Sequence, residues 1–399
     1  MSKFDSYFLM QEDDVKDYIL EKFSFFTHNT LTVEEIGDGN LNYVFRITDG
    51  HHSIIVKHSG HVARISDEFK LSTDRTIREG LLLKEHAKYV PNLVPVIHHI
   101  DEVMKCVVME DLSNLTVLRS GLQQGAIYAS LGKDLGTYLS ETLMRTSDFI
   151  LDAKDKKALQ KLTINPELCE ISEDLVFTEP FYNNFSRNEV SPALSPYVDS
   201  LIYSDDALKQ AVAEAKLKFL NTAQSLIHGD FHSGSVFVDA HTTKVIDPEF
   251  GFFGPAGYDV GNVLAHLLFS YSHLVATQQF TAADSVAQSI DECIQTFKSQ
   301  SLDILNKDTR DVALKNHSTF IKYIHSILID AYTVCGLEII RRIVGLAKVS
   351  DITNLDDVVR VPTEIQLLKF AKSLILHPEE AVLFPSLINL YTRFEEKVA

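Results

Sequence analysis

The sequence predicts an α+β protein with a β-rich N-terminal lobe and a mainly α-helical C-terminal lobe. Short segments with strand-like alternation, such as Leu31–Ile36, lie between residues 31 and 109. Long segments with helical spacing of apolar residues follow at 260–274, 283–299, 312–348, 363–376 and 384–396. A chain of 399 residues also exceeds the usual size of one hydrophobic core. We therefore expect two lobes, 1–110 and 111–399.

Composition and charge limit the class of function. Apolar residues make up 45% and charged residues 23% of the chain, as in an ordinary globular protein. A net charge of −18 makes nucleic acid and anionic membranes unfavourable partners, and we expect the chain to bind neither. The four cysteines form no CxxC pair, which is typical of reduced thiols and not of a zinc site. The N-terminal segment lacks a signal-peptide core, so we expect a cytoplasmic location.

A glycine-rich turn and a lysine-bearing strand stand out near the N-terminus. Residues 12–25 have helical spacing, and the strands Leu31–Ile36 and Leu41–Ile47 flank the turn Gly37–Asn40. Glycines there let backbone N–H groups approach a phosphate oxygen, although such a turn alone is more often an ordinary hairpin. The next strand, Ser53–Lys57, ends in a single lysine, like the strand that reaches nucleotide phosphates in protein-kinase-like folds. The pattern GxxxxGK[ST] is absent, which excludes a P-loop enzyme.

The following segment supplies a candidate partner for Lys57. Residues 60–71 are of mixed character, and we expect a mobile loop there. The helix predicted over Asp74–Lys88 carries Glu79, the first candidate to pair with Lys57, and Glu85, the reserve candidate. A solvated surface role is an equal alternative for either glutamate. The last strands of this lobe are predicted at Leu93–Ile100 and Val103–Met109.

The second lobe is predicted to begin with a connecting segment at Glu110–Asn114, where an apolar run becomes polar. In a kinase-like fold the backbone of this segment binds the adenine edge. Residues 126–145 are predicted to be helical, and Ala207–Gln224 forms another predicted helix. The stretch 150–206 is expected to be rich in loops, because Asn165-Pro, Glu179-Pro and Ser195-Pro interrupt it.

The chemistry is concentrated in Ser225–Val238 and in Lys244–Glu249. Both segments have short apolar strands followed by polar loops, so Asp230, Asp247 and Glu249 come at neighbouring strand ends and can share one pocket. A carboxylate beside a substrate hydroxyl, with further carboxylates that hold Mg²⁺ against a polyphosphate, is typical of phosphoryl transfer. The alternative is two tight turns whose aspartates cap local backbone. The His-Gly-Asp motif, followed by Ile-Asp, resembles the catalytic core of the aminoglycoside-phosphotransferase-like kinases.

Each acidic residue receives a predicted role. Asp230 is expected to accept or orient the proton of the attacking hydroxyl, and Asp247 to bind Mg²⁺. In most relatives an asparagine five residues after the catalytic aspartate holds a second metal, whereas Ser235 stands there in this chain. Glu249 offers the compensating charge as a hard oxygen ligand.

Histidine, aspartate and arginine residues around this core receive supporting roles. His228 and His232 are expected to order the loop by hydrogen bonds, without transferring protons. Asp259 either caps the next helix or braces the catalytic loop. Arg341 and Arg342 interrupt an otherwise apolar helix. Adjacent helical residues diverge by about 100 degrees, so a cleft would take both only at its rim, and an exposed or salt-bridged pair is the alternative. Near the transferred group, they could neutralise phosphate charge.

Together these motifs resemble the methylthioribose kinase family of the aminoglycoside-phosphotransferase-like superfamily. The likeness extends over almost the whole chain. It rests on Glu35–Phe45, Lys57, Met109–Ser113, His228–Ser235, Val245–Glu249, Gly257–Gly261 and Leu337–Ala347. The combination of the serine-bearing loop with Asp-Pro-Glu and Arg-Arg is the specific part. Relatives carry a tryptophan in the loop after the lysine strand, whereas this chain has none and offers Phe69.

The resemblance implies a protein-kinase-like bilobal fold and ATP- and Mg²⁺-dependent phosphorylation of the anomeric hydroxyl of 5-methylthioribose, with 5-methylthioribose 1-phosphate and ADP as products. It also implies a homodimer. By position it assigns Asn40 and Lys57 to the phosphates, Asp111, Leu112 and Ser113 to the adenine, Asp247, Pro248 and Glu249 to metal and nucleotide, and Asp230, Arg341 and Arg342 to the sugar.

Two alternatives remain open on the residues alone. One is a related kinase for another hydroxyl compound, namely an aminoglycoside, choline, homoserine or another sugar. An amine-bearing acceptor would favour a cluster of carboxylates, so Arg341 and Arg342 argue against it. The other is a nucleotide-binding scaffold without activity, which predicts the loss of Lys57, Asp230 or Asp247. All three are present.

Overall fold

The computed structural model describes residues 2–24, 26, 31–36, 42–60, 62–63, 66–70 and 72–394. The predicted turn Gly37–Asn40, with the candidate phosphate contact Asn40, lies outside these residues, and so does the side chain of Phe69. Within the described ranges the chain forms strands first and mainly helices after them, as predicted.

The first part of the chain forms an antiparallel sheet between two helices. Its strands are β1 (Thr32–Glu35), β2 (Asn42–Thr48), β3 (Ser53–Ser59), β4 (Val62–Ala63), β5 (Ser66–Lys70), β6 (Ile97–Asp101) and β7 (Cys106–Glu110), and its helices are α1 (Glu12–Lys22) and α2 (Asp74–Ala87). Five of the strands pair in the order β1-β2-β3-β7-β6. Ile54 and Val56 pack in the cluster that contains α1, whereas Ile55 joins the cluster that contains α2. Successive strand residues point to opposite faces, which explains this division.

The mobile loop predicted over 60–71 is wrong in part. Strands β4 and β5 lie within it and pair antiparallel with each other. Two extended segments a few residues apart satisfy one another's backbone donors and acceptors, which a mixed composition does not signal.

The middle of the chain combines short helices with the strands that carry the catalytic motifs. The helices are α3 (Leu118–Gln123), α4 (Leu131–Arg145), α5 (Ala153–Leu162), α6 (Pro166–Phe177), α7 (Glu179–Tyr182), α8 (Ser195–Val198) and α9 (Asp206–Asn221). The strands are β8 (Thr116–Val117), β9 (Ser225–Ile227), β10 (Val236–Val238), β11 (Thr243–Val245) and β12 (Phe252–Gly254). Strand β9 pairs with β12, and β10 lies between β11 and β8.

The loop-rich prediction for 150–206 is wrong in part, because three of the prolines begin helices there, whereas 183–194 contains neither helix nor strand. Pro166, Pro180 and Pro196 occupy the first positions of α6, α7 and α8. Proline lacks an N–H group, but the first residues of a helix have no internal partner for that group, and the fixed φ of proline suits the first turn. These three X-Pro steps therefore mark helix starts, whereas Pro192 lies in a turn.

The C-terminal part is helical. Its helices are α10 (Gly257–Ala276), α11 (Phe280–Asp308), α12 (His317–Val344), α13 (Ser350–Thr353), α14 (Asp357–Leu376), α15 (Pro378–Leu383) and α16 (Leu387–Tyr391). The helix predicted over 384–396 is confirmed in part, because α16 and a 3-10 turn at Thr392–Phe394 lie within it but begin only after Pro385, and residues 395–396 lie outside the described residues. Proline cannot donate the backbone hydrogen bond that a continuous helix needs.

Helices α10 and α12 pack closely at the centre of this part. A Cβ atom at Gly261 would lie 2.4 Å from the carbonyl oxygen of Ala331, so only glycine allows this approach. The close packing brings His266 of α10 against Glu338 of α12. The observed architecture confirms the α+β fold, with a β-rich N-terminal part and a mainly helical C-terminal part. Among the described residues, no helix is both long and apolar enough to cross a lipid bilayer.

Candidate active site

The catalytic loop between β9 and β10 depends on one glycine. Gly229 has φ +83, a left-handed conformation that side chains disfavour. A Cβ atom at this position would lie 2.3 Å from the carbonyl oxygen of Phe250. The loop can therefore turn sharply beneath the acidic segment and present Asp230 at its tip.

Asp259 braces this loop and does not cap a helix. Its carboxylate accepts hydrogen bonds from the backbone N–H groups of His228 at 2.6 Å and Gly229 at 3.0 Å. Helix α10 begins at Gly257, ahead of Asp259, which leaves no capping role. Burial raises the pKa of Asp259 to about 7, although both N–H groups act to lower it.

The two loop histidines form the ordering hydrogen bonds that the sequence predicts. His228 Nε2 lies 2.8 Å from the carbonyl oxygen of Ile246, and burial lowers the pKa of His228 to about 4, so the ring is neutral. His232 Nδ1 accepts from the backbone N–H of Gly234 at 3.0 Å and lies 3.1 Å from the hydroxyl of Ser235. Ser235 is thus engaged within the loop.

Asp230 lies in a cationic environment. Its carboxylate is 3.3 Å from His232 Nε2 and 3.9 Å from a terminal nitrogen of Arg342. Burial acts to raise the pKa of Asp230, but His232, Arg342 and Arg341 outweigh it and hold the pKa below its usual range. An ionised carboxylate with a low pKa is a weak base. It can orient a hydroxyl nucleophile, which is most of what phosphoryl transfer asks of this residue.

Arg341 and Arg342 both contact Glu338, which is 1% exposed. Arg341 Nη1 is 3.0 Å from Glu338 Oε2, and Arg342 Nε is 2.5 Å from Glu338 Oε1. We call Asp230, Glu338, Arg341 and Arg342 the arginine cluster. The alternative of an exposed pair is wrong, whereas that of a salt-bridged pair is confirmed, because both guanidinium groups form ion pairs with Glu338. Arg342 also faces Asp230 at 3.9 Å. Both side chains reach back along α12 to Glu338, three and four residues earlier, although adjacent helical residues diverge by about 100 degrees.

Lys57 is placed between two carboxylates from distant segments. Its ammonium group is 2.8 Å from Glu79 Oε2 and contacts Asp247 Oδ1. Glu85, the reserve candidate, instead binds Lys88 and the Tyr89 hydroxyl. Burial acts to lower the pKa of Lys57, but the charges of Asp247, Glu79 and Glu249 outweigh it and raise the pKa.

Carboxylates outnumber cations at this point. One ligand oxygen from each of Glu79, Asp247 and Glu249 lies within 4.8 Å of the others. We call these three residues and Lys57 the acidic cluster. Hard carboxylate oxygens are the ligands that Mg²⁺ prefers, so the residues present fit this ion. Burial and the neighbouring Asp247 raise the pKa of Glu249.

Two residues that sequence reasoning did not assign to the site hold Glu249 in place. Asn42 Nδ2 donates to Glu249 Oε2 at 2.9 Å, and its Oδ1 accepts from Arg75 Nε at 2.9 Å. Asn165 Nδ2 donates to the backbone carbonyl of Glu249 at 2.8 Å. The backbone carbonyl of Pro248 closes the turn by accepting from Gly251 at 3.0 Å. Asn42 lies within the family motif Glu35–Phe45, but asparagines at strand or helix ends are common, and the sequence assigned no role to either residue.

The segment predicted to bind adenine follows β7 directly. Asp111 accepts from Arg46 Nε at 3.1 Å and from the Ser53 hydroxyl at 2.5 Å. Its second oxygen accepts from the backbone N–H of Ser113 at 2.9 Å, and Leu112 is buried. The Asp111 side chain therefore fixes the segment to the sheet, which leaves backbone groups as the candidates for adenine.

Comparison with known proteins identifies the family. The model of the Phosphotransferase enzyme family matches residues 32–289. The methylthioribose kinase of Bacillus cereus (strain AH820) is 38% identical over 373 residues, which cover 92% of each chain. The methylthioribose kinase of Bacillus thuringiensis (strain Al Hakam) has the same identity and coverage. The chain belongs to the methylthioribose kinase family of phosphotransferase enzymes.

As a member of this family the chain is an enzyme, a small-molecule kinase that uses ATP. Among solved structures, the choline kinase from Cryptosporidium parvum Iowa II covers 94% of this kinase and 100% of its own chain. Its sequence is 14% identical and the TM-score is 0.48.

Proposed function

We propose that this kinase transfers the γ-phosphoryl group of ATP to the anomeric 1-hydroxyl of 5-methylthioribose in methionine salvage. The products are 5-methylthioribose 1-phosphate and ADP. The acceptor is proposed because relatives with 38% identity carry the name methylthioribose kinase. The geometric observation that carries the proposal is Asp230, an ionised carboxylate that faces Arg342 at 3.9 Å. This pair suits a hydroxyl nucleophile beside a phosphoryl group that gathers negative charge.

Three residues are proposed to act on the acceptor side of the site. Asp230 orients the 1-hydroxyl. As a weak base it accepts the proton only late, once the bond to phosphorus has made the attacking oxygen strongly acidic. The bond from the γ-phosphorus to the bridging oxygen breaks, and ADP leaves with that oxygen. Arg341 and Arg342 bind the sugar side of the site, with Arg342 nearer to Asp230.

The nucleotide is proposed to bind along the edge of the sheet. Lys57 contacts the phosphates and is oriented by Glu79 at 2.8 Å. Asn40, by position, adds a second phosphate contact. Backbone groups of Asp111, Leu112 and Ser113 bind the adenine edge. Asp247 and Glu249, on either side of Pro248, hold Mg²⁺, which neutralises phosphate charge when bound.

Three further properties belong to the same proposal. The boundary between the lobes lies between residues 110 and 111, where β7 ends. The kinase forms a homodimer, as the resemblance to its family implies, and acts in the cytoplasm, which its pattern of cysteines favours. Light scattering coupled to size exclusion checks the dimer, and a mass of one chain would contradict it.

A panel of acceptors tests the reaction. ADP release is measured with magnesium-ATP and 5-methylthioribose, ribose, choline, homoserine or kanamycin. Turnover confined to 5-methylthioribose, with a 1-phosphate product, is expected. Turnover on another compound would contradict the proposed acceptor and keep the phosphoryl-transfer chemistry. ATP binding without turnover on any compound would favour a scaffold.

A further inference from the structure

One buried carboxylate lies behind the arginine pair. Glu338 has no exposure to a substrate, yet both of its oxygens carry guanidinium contacts, to Arg341 at 3.0 Å and to Arg342 at 2.5 Å. The spacing of three and four residues places all three side chains over the same turn of α12. A charge-assisted bond of this kind holds a long, flexible side chain in one orientation.

His266 adds a third contact to the same carboxylate. Its Nε2 lies 3.1 Å from Glu338 Oε1, and the ring is completely buried. Burial lowers the pKa of His266 well below its usual value, so the ring is neutral. Because a carboxylate can only accept, Nε2 carries the proton. The other nitrogen, Nδ1, then accepts from Arg119 Nη2 at 3.5 Å.

The same histidine also reaches the catalytic loop. Its ring centroid lies 5.2 Å from that of His232, which pairs with Asp230. Arg119, on the far side of His266, donates to the Ser233 hydroxyl at 3.2 Å. The contacts therefore run from α12 through α10 to His232 and Ser233, two adjacent residues of the loop that carries Asp230.

The charges along this path balance. Asp230 and Glu338 face Arg341 and Arg342, while Arg119 lies 3.6 Å from Asp351. With His266 neutral, three carboxylates oppose three guanidinium groups. Removing the charge of Glu338 leaves an excess cation in a buried site, where unpaired charge is costly. The arginines would then turn toward solvent or toward Asp230.

We propose that Glu338 is the positioning residue of the acceptor site, which with His266 fixes Arg342 beside Asp230. This inference rests on the proposed function, because it assigns Arg342 to the acceptor side. Glu338 does not touch the substrate. It acts through Arg342, whose distance from Asp230 sets where the hydroxyl and the transferred group can lie.

Kinetics of Glu338→Gln test this role. We expect kcat/KM for the acceptor to fall about a hundredfold, since a displacement of about 1 Å at the reacting groups costs that much. The KM for ATP stays unchanged, because the acidic cluster does not contact Glu338. Glu141→Gln is the matched control, since Glu141 pairs with Arg145 on α4 and lies outside the site. A folded Glu338→Gln with unchanged acceptor kinetics would overturn the proposal.

His266 supplies a second pair of variants in case Glu338→Gln does not fold. His266→Leu removes both the donor and the acceptor, so we expect a smaller fall of the same kind, confined to the acceptor. His266→Gln keeps an N–H for Glu338 and an oxygen for Arg119, and should restore acceptor kinetics. The proposal would be overturned if folded His266→Leu and His266→Gln had the same kcat/KM for the acceptor. It would also be overturned if kcat/KM for the acceptor and the KM for ATP changed by the same factor.

Two features of the experiment distinguish failure of the Glu338 proposal from failure of the proposed acceptor. The acceptor used is the compound that the wild-type kinase phosphorylates, so failure of 5-methylthioribose contradicts the proposed acceptor alone. Hydrogen exchange of the Arg342 Nε–H, followed by NMR, needs no acceptor. The bond to Glu338 should make this exchange slow in the wild type and in Glu141→Gln, and fast in Glu338→Gln. Fast exchange in the wild type would contradict the positioning role.

Discussion

The acidic cluster and the arginine cluster are both buried groups of charges, but their carboxylates behave in opposite ways. In the acidic cluster, burial and the neighbouring carboxylates raise the pKa of Glu79 and of Glu249. Lys57 acts to lower both values, but one lysine does not offset three carboxylates. In the arginine cluster the cationic and N–H partners outweigh burial, namely His232 and both guanidinium groups at Asp230, and both guanidinium groups and His266 at Glu338. The pKa values of these two carboxyl groups therefore lie below their usual range. The number of cationic partners decides the direction. The acidic cluster therefore gains most from an added cation, whereas the arginine cluster is already balanced.

The largest effect should come from Asp230→Asn. The amide keeps the shape but cannot accept the hydroxyl proton, so we expect turnover to fall by about 10²–10⁴. ATP affinity should stay close to that of the wild type, because the acidic cluster is intact. Steady-state kinetics measure turnover, and nucleotide titration measures ATP affinity. Asp155→Asn, on the exposed face of α5, is the control. Near-normal turnover would show that another residue orients the acceptor.

Glu79→Gln probes the acidic cluster itself. Loss of the charge that orients Lys57 should raise the KM for ATP about tenfold or more, the usual cost of a hydrogen bond to a charged group. The KM for the acceptor should not change, in contrast to Glu338→Gln. Glu85→Gln is the matched control on the same helix, since Glu85 binds only its helix neighbours Lys88 and Tyr89 among the described contacts. A similar ATP defect in both variants would contradict the assignment of Glu79.

Removal of metal should distinguish the two clusters without any substitution. Chelation of Mg²⁺ is expected to abolish turnover. In the absence of nucleotide, added Mg²⁺ should raise the melting temperature by a few degrees, because an ion that binds only the folded state stabilises it. Asp247→Asn should lose this increment, whereas Asp230→Asn should retain it. An equal Mg²⁺ response in the two variants would place the ion elsewhere.

The smallest effect concerns the pH dependence of stability. Burial raises the pKa of Asp259 to about 7 from 3.8, so between these values the folded protein binds this proton more readily than the unfolded chain. The contribution of Asp259 to the free energy of unfolding is therefore present at low pH and is lost as pH rises toward 7. Asp259→Asn should flatten this part of the profile in urea titrations. A profile parallel to that of the wild type would contradict the shift.

Much of the fold followed from local patterns. The alternating segments gave β1, β2 and β3, and helical spacing gave α1, α2 and the long C-terminal helices. The stretch 150–206 did not follow, because proline both interrupts a helix and begins one, and only the surrounding packing decides which. Strands β4 and β5 were also missed, because the composition of these segments does not predict that they pair with each other.

The sequence by itself determined which chemical groups the site contains and roughly where they stand. Lys57 at a strand end, and Asp230, Asp247 and Glu249 in polar loops after apolar strands, are local features. The tertiary structure decided which of them meet. Lys57 and Asp247 are 190 residues apart, and Glu79 was chosen over Glu85 because it points toward the sheet. Glu338 contacts His266 as well as both arginines because α10 packs closely on α12. No local sequence pattern encodes a contact between helices that are distant in the chain.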